Sequence, residues 1–568
     1  MNLGSTLLTA IARQIVLPGY ARQFSRFRAC LAKGREIQHS LLFPWLRRCA
    51  DSRFGRDHGL AGIGSLADYR RQVPVSRYEY FAPYIDGVAR GVHTDLLPPD
   101  EPVRRFTITT GSTGIPKLNP VTPSWLRYYR ASWNLWGAKM LSDHSPAVGR
   151  KILHIIGSWD MGRTAGGIPI SMVSALLARN QNPIVRPFYS VPNEVTNIPD
   201  PDARYYTMLR LCLAENIGLI VVMNPGTLLR LAQLGDEQRQ LLIRDLRDGT
   251  LSARFDIPDQ IRQQIAPRIR RSHSKKAAEL EKVVENTGHL YPKNYWKRPL
   301  IACWLGGTAG YQARYLPEYF GDDAPMRDQG LVSSEGRHTI PIEDGTPQGV
   351  LAVNSAFYEF IPVSEDGPDP TILEAHELQE GGDYHLVMTT FSGYFRFRIG
   401  DIVRCHRFIG QTPVLEFLQK GDRCGDLEGE KVTEHQFLSA ATGAAQQRGI
   451  RLGPVTAVPC RPARELPCYQ IIIEQGDVPD VDNARGFLSN LDERLRESNF
   501  LYKARRREKV LGPPTLLRIP TGAWALYVQS EIARRGTGDA HYKHAALVQD
   551  PEFLKCFQPI DRIEVAAD

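Results

Sequence analysis

The chain reads as an α/β protein with a large N-terminal domain and a smaller α+β C-terminal one, and three observations predict this. Its 568 residues, 42% of them apolar, are ample for more than one buried core. Continuous apolar runs rich in β-branched residues alternate with segments of helical spacing, which argues for parallel or mixed sheets covered by helices on both faces. After Phe417 the texture changes to short, polar, glycine-bearing stretches, as at the start of a second unit.

The run Leu7-Leu8-Thr9-Ala10-Ile11-Ala12 meets Arg13 without a clear cleavage site, so an amphipathic helix on the body is expected rather than a signal peptide. Trp125, Tyr128, Tyr129, Trp133 and Trp136 crowd one helix, a spacing typical of core that also offers a wall to a hydrophobic substrate. Trp159, Met161 and Gly306-Gly307 are further candidates for that wall. Residues 151–156 read as a strand, and Tyr205, Met208, Leu209 and Cys212 as one helix face. The apolar run 217–223 is closed by Asn224-Pro225, with a helix expected from Thr227. The charged stretch 268–285 is expected to be one exposed helix, 300–305 a buried strand, and 349–353 and 384–391 shorter strands leading toward Asp401. Lys420-Gly421-Asp422-Arg423 has the texture of a hinge, which divides the chain into 1–419 and 420–568. Beyond it, 432–446 reads as a helix, and 469–474 and 516–519 as strands.

Composition narrows the function. The net charge of +8 is small for this length, and the basic runs Arg268-Ile269-Arg270-Arg271 and Arg505-Arg506-Arg507 lack interleaved aromatics, so they read as helix faces and no nucleic-acid partner is expected. No apolar run reaches the roughly 18 residues a membrane span needs. Nine cysteines without a C-x-x-C spacing imply reduced thiols in a cytoplasmic protein, neither a disulfide framework nor a zinc site. Cys405 and His406 adjoin in a strand and so face opposite sides, which excludes them as a nucleophile and base pair.

The chemistry lies elsewhere. Thr107-Ile108-Thr109-Thr110-Gly111-Ser112-Thr113-Gly114-Ile115-Pro116-Lys117 gathers hydroxyls, glycines and one ammonium in a single loop. Gly111 and Gly114 let backbone N–H groups turn toward an anion, the hydroxyls of Thr110, Ser112 and Thr113 add donors, and Lys117 adds a point charge. Pro116 stands where a Walker A loop needs glycine, so this is a phosphate loop of another kind. Downstream, Phe395-Arg396-Phe397-Arg398-Ile399-Gly400-Asp401 ends on an acid that, on a rigid strand terminus, can accept both hydroxyls of a ribose. Between them, Val332-Ser333-Ser334-Glu335-Gly336 places a carboxylate on a turn, suited to Mg²⁺ held together with phosphates.

In this order the three segments resemble the adenylate-forming superfamily of firefly luciferase and the acyl-CoA ligases. More closely, the chain resembles the bacterial branch of the Gretchen Hagen family of auxin-responsive acyl acid amido synthetases. Further matching stretches are Tyr78-Glu79-Tyr80-Phe81-Ala82-Pro83-Tyr84-Ile85, Gly162-Arg163-Thr164-Ala165-Gly166-Gly167-Ile168-Pro169 and Cys303-Trp304-Leu305-Gly306-Gly307-Thr308-Ala309-Gly310. Later come Pro413-Val414-Leu415-Glu416-Phe417-Leu418, Gly429-Glu430-Lys431-Val432-Thr433-Glu434 and Leu511-Gly512-Pro513-Pro514.

The resemblance implies a large adenylate-forming domain with a mobile C-terminal cap, and a reaction in two halves. ATP and a carboxylic acid form an acyl adenylate with loss of pyrophosphate; an amine, usually an amino acid, then displaces AMP. It implies that Thr110, Ser112 and Thr113 meet the phosphates, Ser333 and Ser334 the adenine, Glu335 the Mg²⁺ and Asp401 the ribose. The late lysine of the superfamily best matches Lys543, where His544-Ala545-Ala546 follows in place of proline and arginine, with Lys503 and Lys431 as alternatives. His541 and Glu335 are the candidate bases for the amine, and Arg404 is expected to pair with an acid. An acyl-CoA ligase, taking a CoA phosphate on the basic stretch 502–509, and a non-catalytic nucleotide-binding relative are the competing readings.

Overall fold

The computed structural model describes residues 17–110, 116–181, 185–365, 367, 369–421, 423–462, 465–535 and 542–565. These form two compact units. One holds the described residues up to Ile399 together with Val403–Phe417; the other holds Gly400–Ile402, the described residues from Leu418 to 535, and those from Tyr542 on. The segment Leu7 to Ala12 lies outside the described residues.

In the first unit, β1 (Arg105–Thr110) and β2 (Pro116–Val121) pair antiparallel, with Thr110 opposite Pro116. The strands β3 (Lys151–His154), β4 (Ile170–Ser171), β5 (Ile217–Val221), β6 (Leu300–Cys303) and β7 (Met326–Asp328) follow. β4 joins β1 in a three-stranded sheet of order β2-β1-β4, while β3-β5-β6-β7 is a wholly parallel sheet. The expectation of a doubly covered sheet is met residue by residue. Leu219, Val221, Leu300 and Ala302 enter one hydrophobic core, and their neighbours Ile220, Ile301 and Cys303 enter another. Helices between these strands start where the sequence caps them. Asp200 accepts from Ala203 N at 2.6 Å ahead of Pro201–Cys212, and Asn224 from Gly226 N at 2.9 Å ahead of Pro225–Glu237, each with proline in the first turn.

The charged stretch 268–285 is not one helix. It spans the end of Asp259–Ile269 and most of Ser274–Thr287, separated where His273 N donates to Leu246 O at 2.9 Å. Nor is it wholly exposed: Ile269, Ala277 and Leu280 are buried positions that the surrounding charges conceal in the sequence.

A seven-stranded sheet completes this part of the chain: β8 (Thr339–Ile340), β9 (Gly349–Leu351), β10 (Phe357–Pro362), β11 (Leu373–Glu374), β12 (Asp383–Thr389), β13 (Phe397–Ile409) and β14 (Thr412–Lys420), in the order β11-β10-β12-β13-β14-β9-β8. Gly400–Ile402 of β13 group with the second unit. That unit adds the short pair β15 (Cys424–Gly425) and β16 (Val432–Thr433), and the mixed sheet β17 (Thr456–Cys460), β18 (Cys468–Glu474), β19 (Thr515–Ile519) and β20 (Asp561–Glu564). The helix read from Val432 begins at Glu434 instead, because Thr433 and Gln436 form a reciprocal capping box that fixes its first turn.

Candidate functional site

Gly111, Ser112, Thr113 and Gly114 lie outside the described residues, as does the side chain of Thr110. What surrounds them in sequence is well defined. Tyr78 receives a hydrogen bond from Leu118 N at 3.0 Å, and the hydroxyl of Tyr394 donates to Leu118 O at 3.1 Å, so two phenols fix β2 just after the loop. Lys117 on that strand lies 4.0 Å from Glu79 and 5.4 Å from the centroid of the Tyr78 ring.

The turn at 333–335 is built to hold a carboxylate still. Ser333 N donates to Gly336 O at 2.9 Å, Glu335 N donates to Ser333 Oγ at 3.1 Å, and that hydroxyl meets His338 Nε2 at 2.8 Å. The helix Pro123–Asp143 braces it from outside: Trp125 Nε1 donates to Glu335 O at 2.9 Å and Tyr129 OH to Ser333 O at 3.3 Å. Ser334 and Glu335 are both buried. Burial is the main cause that pushes Tyr78 up to about 12 and Tyr394 well above the phenol range; the charge of Asp86 comes before that of Glu335 at Tyr78, and that of Glu335 comes next after burial at Tyr394. Glu335 and the phenols that anchor β2 belong to the same unit.

The aromatic helix follows the core reading at three of its five rings, while Tyr128 and Trp133 are only partly buried. Trp125, Tyr129 and Trp136 are buried, and Trp136 Nε1 donates to Asp328 O at 2.9 Å, so these rings are core that positions backbone. Asp328, at the end of β7, accepts from Leu305 N at 2.5 Å and from Gly330 N, beside the Gly306-Gly307 turn. Burial pushes its pKa up to about 7 against those hydrogen bonds.

Asp401 does not sit on a strand terminus. β13 runs on to Ile409, and the break in its regular pattern is at Gly400, whose φ of 86° is open to glycine and strained for other residues. Asp401, Ile402 and Val403 are consequently buried in succession where strict alternation would expose one. Asp401 forms an ion pair with Lys420, a residue the sequence suggested only as part of a hinge. Arg404 lies in β13 as well, but makes a bidentate pair with Asp383 at 2.7 and 2.9 Å, the structural role expected of it. Cys405 is buried, while His406 meets Glu416 at 2.6 Å, which separates them as strand geometry requires.

Lys543 lies in the same unit as Asp401 and Lys420. The chain beyond it is nailed to β17: Ala457 N donates to Ala546 O at 2.8 Å and Thr456 Oγ1 to Ala545 O at 2.7 Å. Glu434 accepts from Ala546 N at 2.7 Å and from Arg423 at 2.9 and 3.1 Å, which ties this segment to the end of β14. Lys543 has exposed surface, but protein atoms crowd its ammonium, and that desolvation, followed by the charge of Lys420, pushes it down to about 8; Asp401 pulls the other way. Lys420 and Glu434 were not singled out in the sequence, because only the fold brings residues 401, 420, 434 and 543 together. His541 lies outside the described residues.

A mixed α/β unit carrying a buried carboxylate turn, and a smaller α+β unit bearing a lysine, fit the architecture expected of an adenylate-forming ligase. The chain belongs to the GH3 family: residues 23–326 match the GH3 family N-terminal domain, 349–420 the GH3 family central domain and 435–552 the GH3 family C-terminal domain. It is similar to an indole-3-acetic acid-amido synthetase, GH3.3, of Arabidopsis thaliana, with 24% identity over 89% of this chain and 88% of that one. The structure of a GH3.15 acyl acid amido synthetase superposes with a TM-score of 0.82 at 22% identity, covering 96% of this chain and 97% of that one. The fold is shared more distantly with a 2-hydroxyisobutyryl-CoA ligase, at a TM-score of 0.53 and 13% identity over 91% of this chain and 89% of that one. Amido synthetases of the GH3 family are ATP-dependent ligases that form acyl adenylates, and this chain is an enzyme of that class.

Proposed function

We propose that the enzyme adenylates a small carboxylic acid and passes the acyl group to an amine, with an amino acid as the first candidate acceptor. One observation carries the assignment of its site: Glu335 is buried on a turn braced by Trp125 and Tyr129, in the unit that also carries β1 and β2. The relatives' names support the chemistry, since they include indole-3-acetic acid-amido synthetases and an acyl acid amido synthetase solved with 2,4-DB. The bacterial placement rests on the spelling of the motifs alone, and the cytoplasmic one on the unpaired cysteines. No described helix is long and apolar enough to cross a membrane.

In this reading residues 1–419 carry adenylation and 420–568 act as a mobile cap. Thr110, Ser112 and Thr113, with the N–H groups around Gly111 and Gly114, stabilise the charge that grows on pyrophosphate as the α-phosphorus is attacked. Ser333 and Ser334 flank the adenine, and Asp401 exchanges its lysine partner for the ribose hydroxyls. Lys543 lies between the incoming carboxylate and the α-phosphate and offsets their repulsion. The acid's oxygen takes the phosphorus as the bond to pyrophosphate breaks. The amine nitrogen then takes the carbonyl carbon as the bond to AMP breaks, and its proton leaves. Among the described residues no group of three or more His, Cys, Asp or Glu is placed to hold a metal, and Glu335 supplies one carboxylate. That donor set fits Mg²⁺, which phosphates and water chiefly hold and which would neutralise phosphate charge when bound.

The competing acyl-CoA ligase reading needs free cations on 502–509. Arg505 pairs with Glu508 at 2.6 Å and Arg506 with Asp492 at 3.1 Å, while Lys503, Arg507 and Lys509 make no ion pair with a described acid, so the preference for the amide reading rests on the relatives' names. Pyrophosphate release measured over a panel of acids, followed by AMP release with amino acids or with CoA, tests both. Amide formation without CoA is the expected result; thioester formation with CoA alone overturns it.

A further inference from the structure

At the carboxyl end of β3, apart from the residues assigned above, the first unit holds a cavity of about 440 Å³, a size suited to a small organic molecule. Three guanidiniums line it from three elements: Arg179 at the end of the helix Val173–Arg179, Arg186 in the turn Arg186–Phe188, and Arg268 in Asp259–Ile269. Glu194 is the one carboxylate among the lining residues, and no described carboxylate lies within ion-pair distance of any of the three arginines. The lining is therefore net cationic.

Two of these cations are placed, not merely present. Arg179 stacks on Trp159 with its guanidinium carbon 4.4 Å from the ring centroid, and Arg105 covers the same ring at 3.7 Å. Two like charges thus sandwich one indole, and after burial it is Arg179 that most holds the pKa of Arg105 below the usual guanidinium range. Arg186 donates to Arg179 O at 3.3 Å. The charge of Asp160 opposes this repulsion with the smaller effect, and an anion at this corner would relieve what remains.

The rest of the cavity is apolar and flat. His154 stacks between Trp133 and Tyr189, with centroids 6.3 and 5.8 Å away and planes 26° and 27° apart. Burial pushes His154 down to about 4, so near neutral pH the ring is an uncharged platform. Ile156, Ala178, Val191 and Pro192 add apolar lining, and Asn193 stands next to Glu194 as the one amide.

We propose that this cavity is a binding site for a small organic anion, its carboxylate or phosphate head on Arg179, Arg186 and Arg268 and its flat apolar body against His154 and Tyr189. The inference stands independently of the roles given to Glu335, Asp401 and Lys543. The test is calorimetric titration of the full chain, with AMP in excess to fill the nucleotide site, using benzoate, phenyl phosphate, inorganic phosphate and benzyl alcohol as probes. Either aromatic anion binding saturably, and more tightly than both inorganic phosphate and benzyl alcohol, is the expected result; which of the two wins identifies the head group. The double variant Arg179→Met, Arg268→Met should weaken that binding about tenfold or more, as expected on losing charge-assisted hydrogen bonds. Glu194→Gln should strengthen it. Should the double variant fail to fold, Arg268→Met alone, on an exposed side chain, and Glu194→Gln still give opposite signs. The proposal is overturned if neither aromatic anion saturates, or if folded variants bind both as the parent does.

Discussion

Glu359 and Asp401 are carboxylates on two strands of the same seven-stranded sheet, 1% and 3% exposed, and they are held in opposite ways. Glu359 on β10 is gripped by Arg70 Nε and Arg396 Nε, each at 2.9 Å, and Arg396 is itself fixed by donating to Val73 O at 2.7 Å and Arg70 O at 3.0 Å. Asp401 on β13 faces an ammonium, that of Lys420, whose side chain keeps 31% of its surface. A planar guanidinium in a closed network has nowhere to go, whereas a lysine on a flexible stem can leave for water. Burial alone would have given the two acids the same standing. Their partners separate a structural carboxylate from one free to change partners.

The comparison can be broken, and the sharpest attempt is at its structural end. Arg396→Met leaves Glu359 short of a partner and three backbone or side-chain acceptors unserved, so unfolding free energy should fall by about 3–5 kcal/mol, read by denaturant melts. A loss under about 1 kcal/mol would remove the distinction. At the functional end, Lys543→Ala should slow pyrophosphate release about 100-fold, the usual scale for a preorganised electrostatic group, with little change in stability. Its titration sharpens the case. With the ammonium pushed down to about 8, charge is present below that pH and is lost above it, so the wild-type rate should fall on the alkaline side. Asp401→Asn removes a charge that favours the ammonium and should move that limb to lower pH; an unmoved limb would separate Asp401 from Lys543.

The same Asp401→Asn variant should weaken ATP binding about tenfold while melting like the parent, the reverse of Arg396→Met. The smallest effect belongs to Arg404→Lys. Its pair with Asp383 is bidentate but half-exposed, so less than about 1 kcal/mol of stability and no change in ATP affinity are expected, measured by melts and nucleotide titration.

The α/β layering, the parallel sheet and the second unit were legible because strands buried on both faces must read as unbroken apolar runs, as 217–223 does. Helix starts were legible only in part: the one expected at Thr227 falls at Pro225, because Asn224 caps the turn before it. The break between Asp259–Ile269 and Ser274–Thr287 was not legible, since a hydrogen bond from His273 to distant Leu246 makes it. The aromatic helix was legible as core, since its spacing announces burial, but not that Trp125, Tyr129 and Trp136 would spend their polar atoms on the backbone of residues 335, 333 and 328.

By itself, then, the sequence determined which chemistry the chain could carry, because hydroxyls, glycines and carboxylates in short runs are local facts. Which acids are locked and which can exchange partners was decided only in three dimensions. Lys420 stands on the strand next to that of Asp401, whereas Lys543 lies far down the chain, so only the closing of the fold could bring it to their unit. The same closing made a cationic cavity from Arg179, Arg186 and Arg268, since like charges are gathered at such cost only where packing elsewhere holds them.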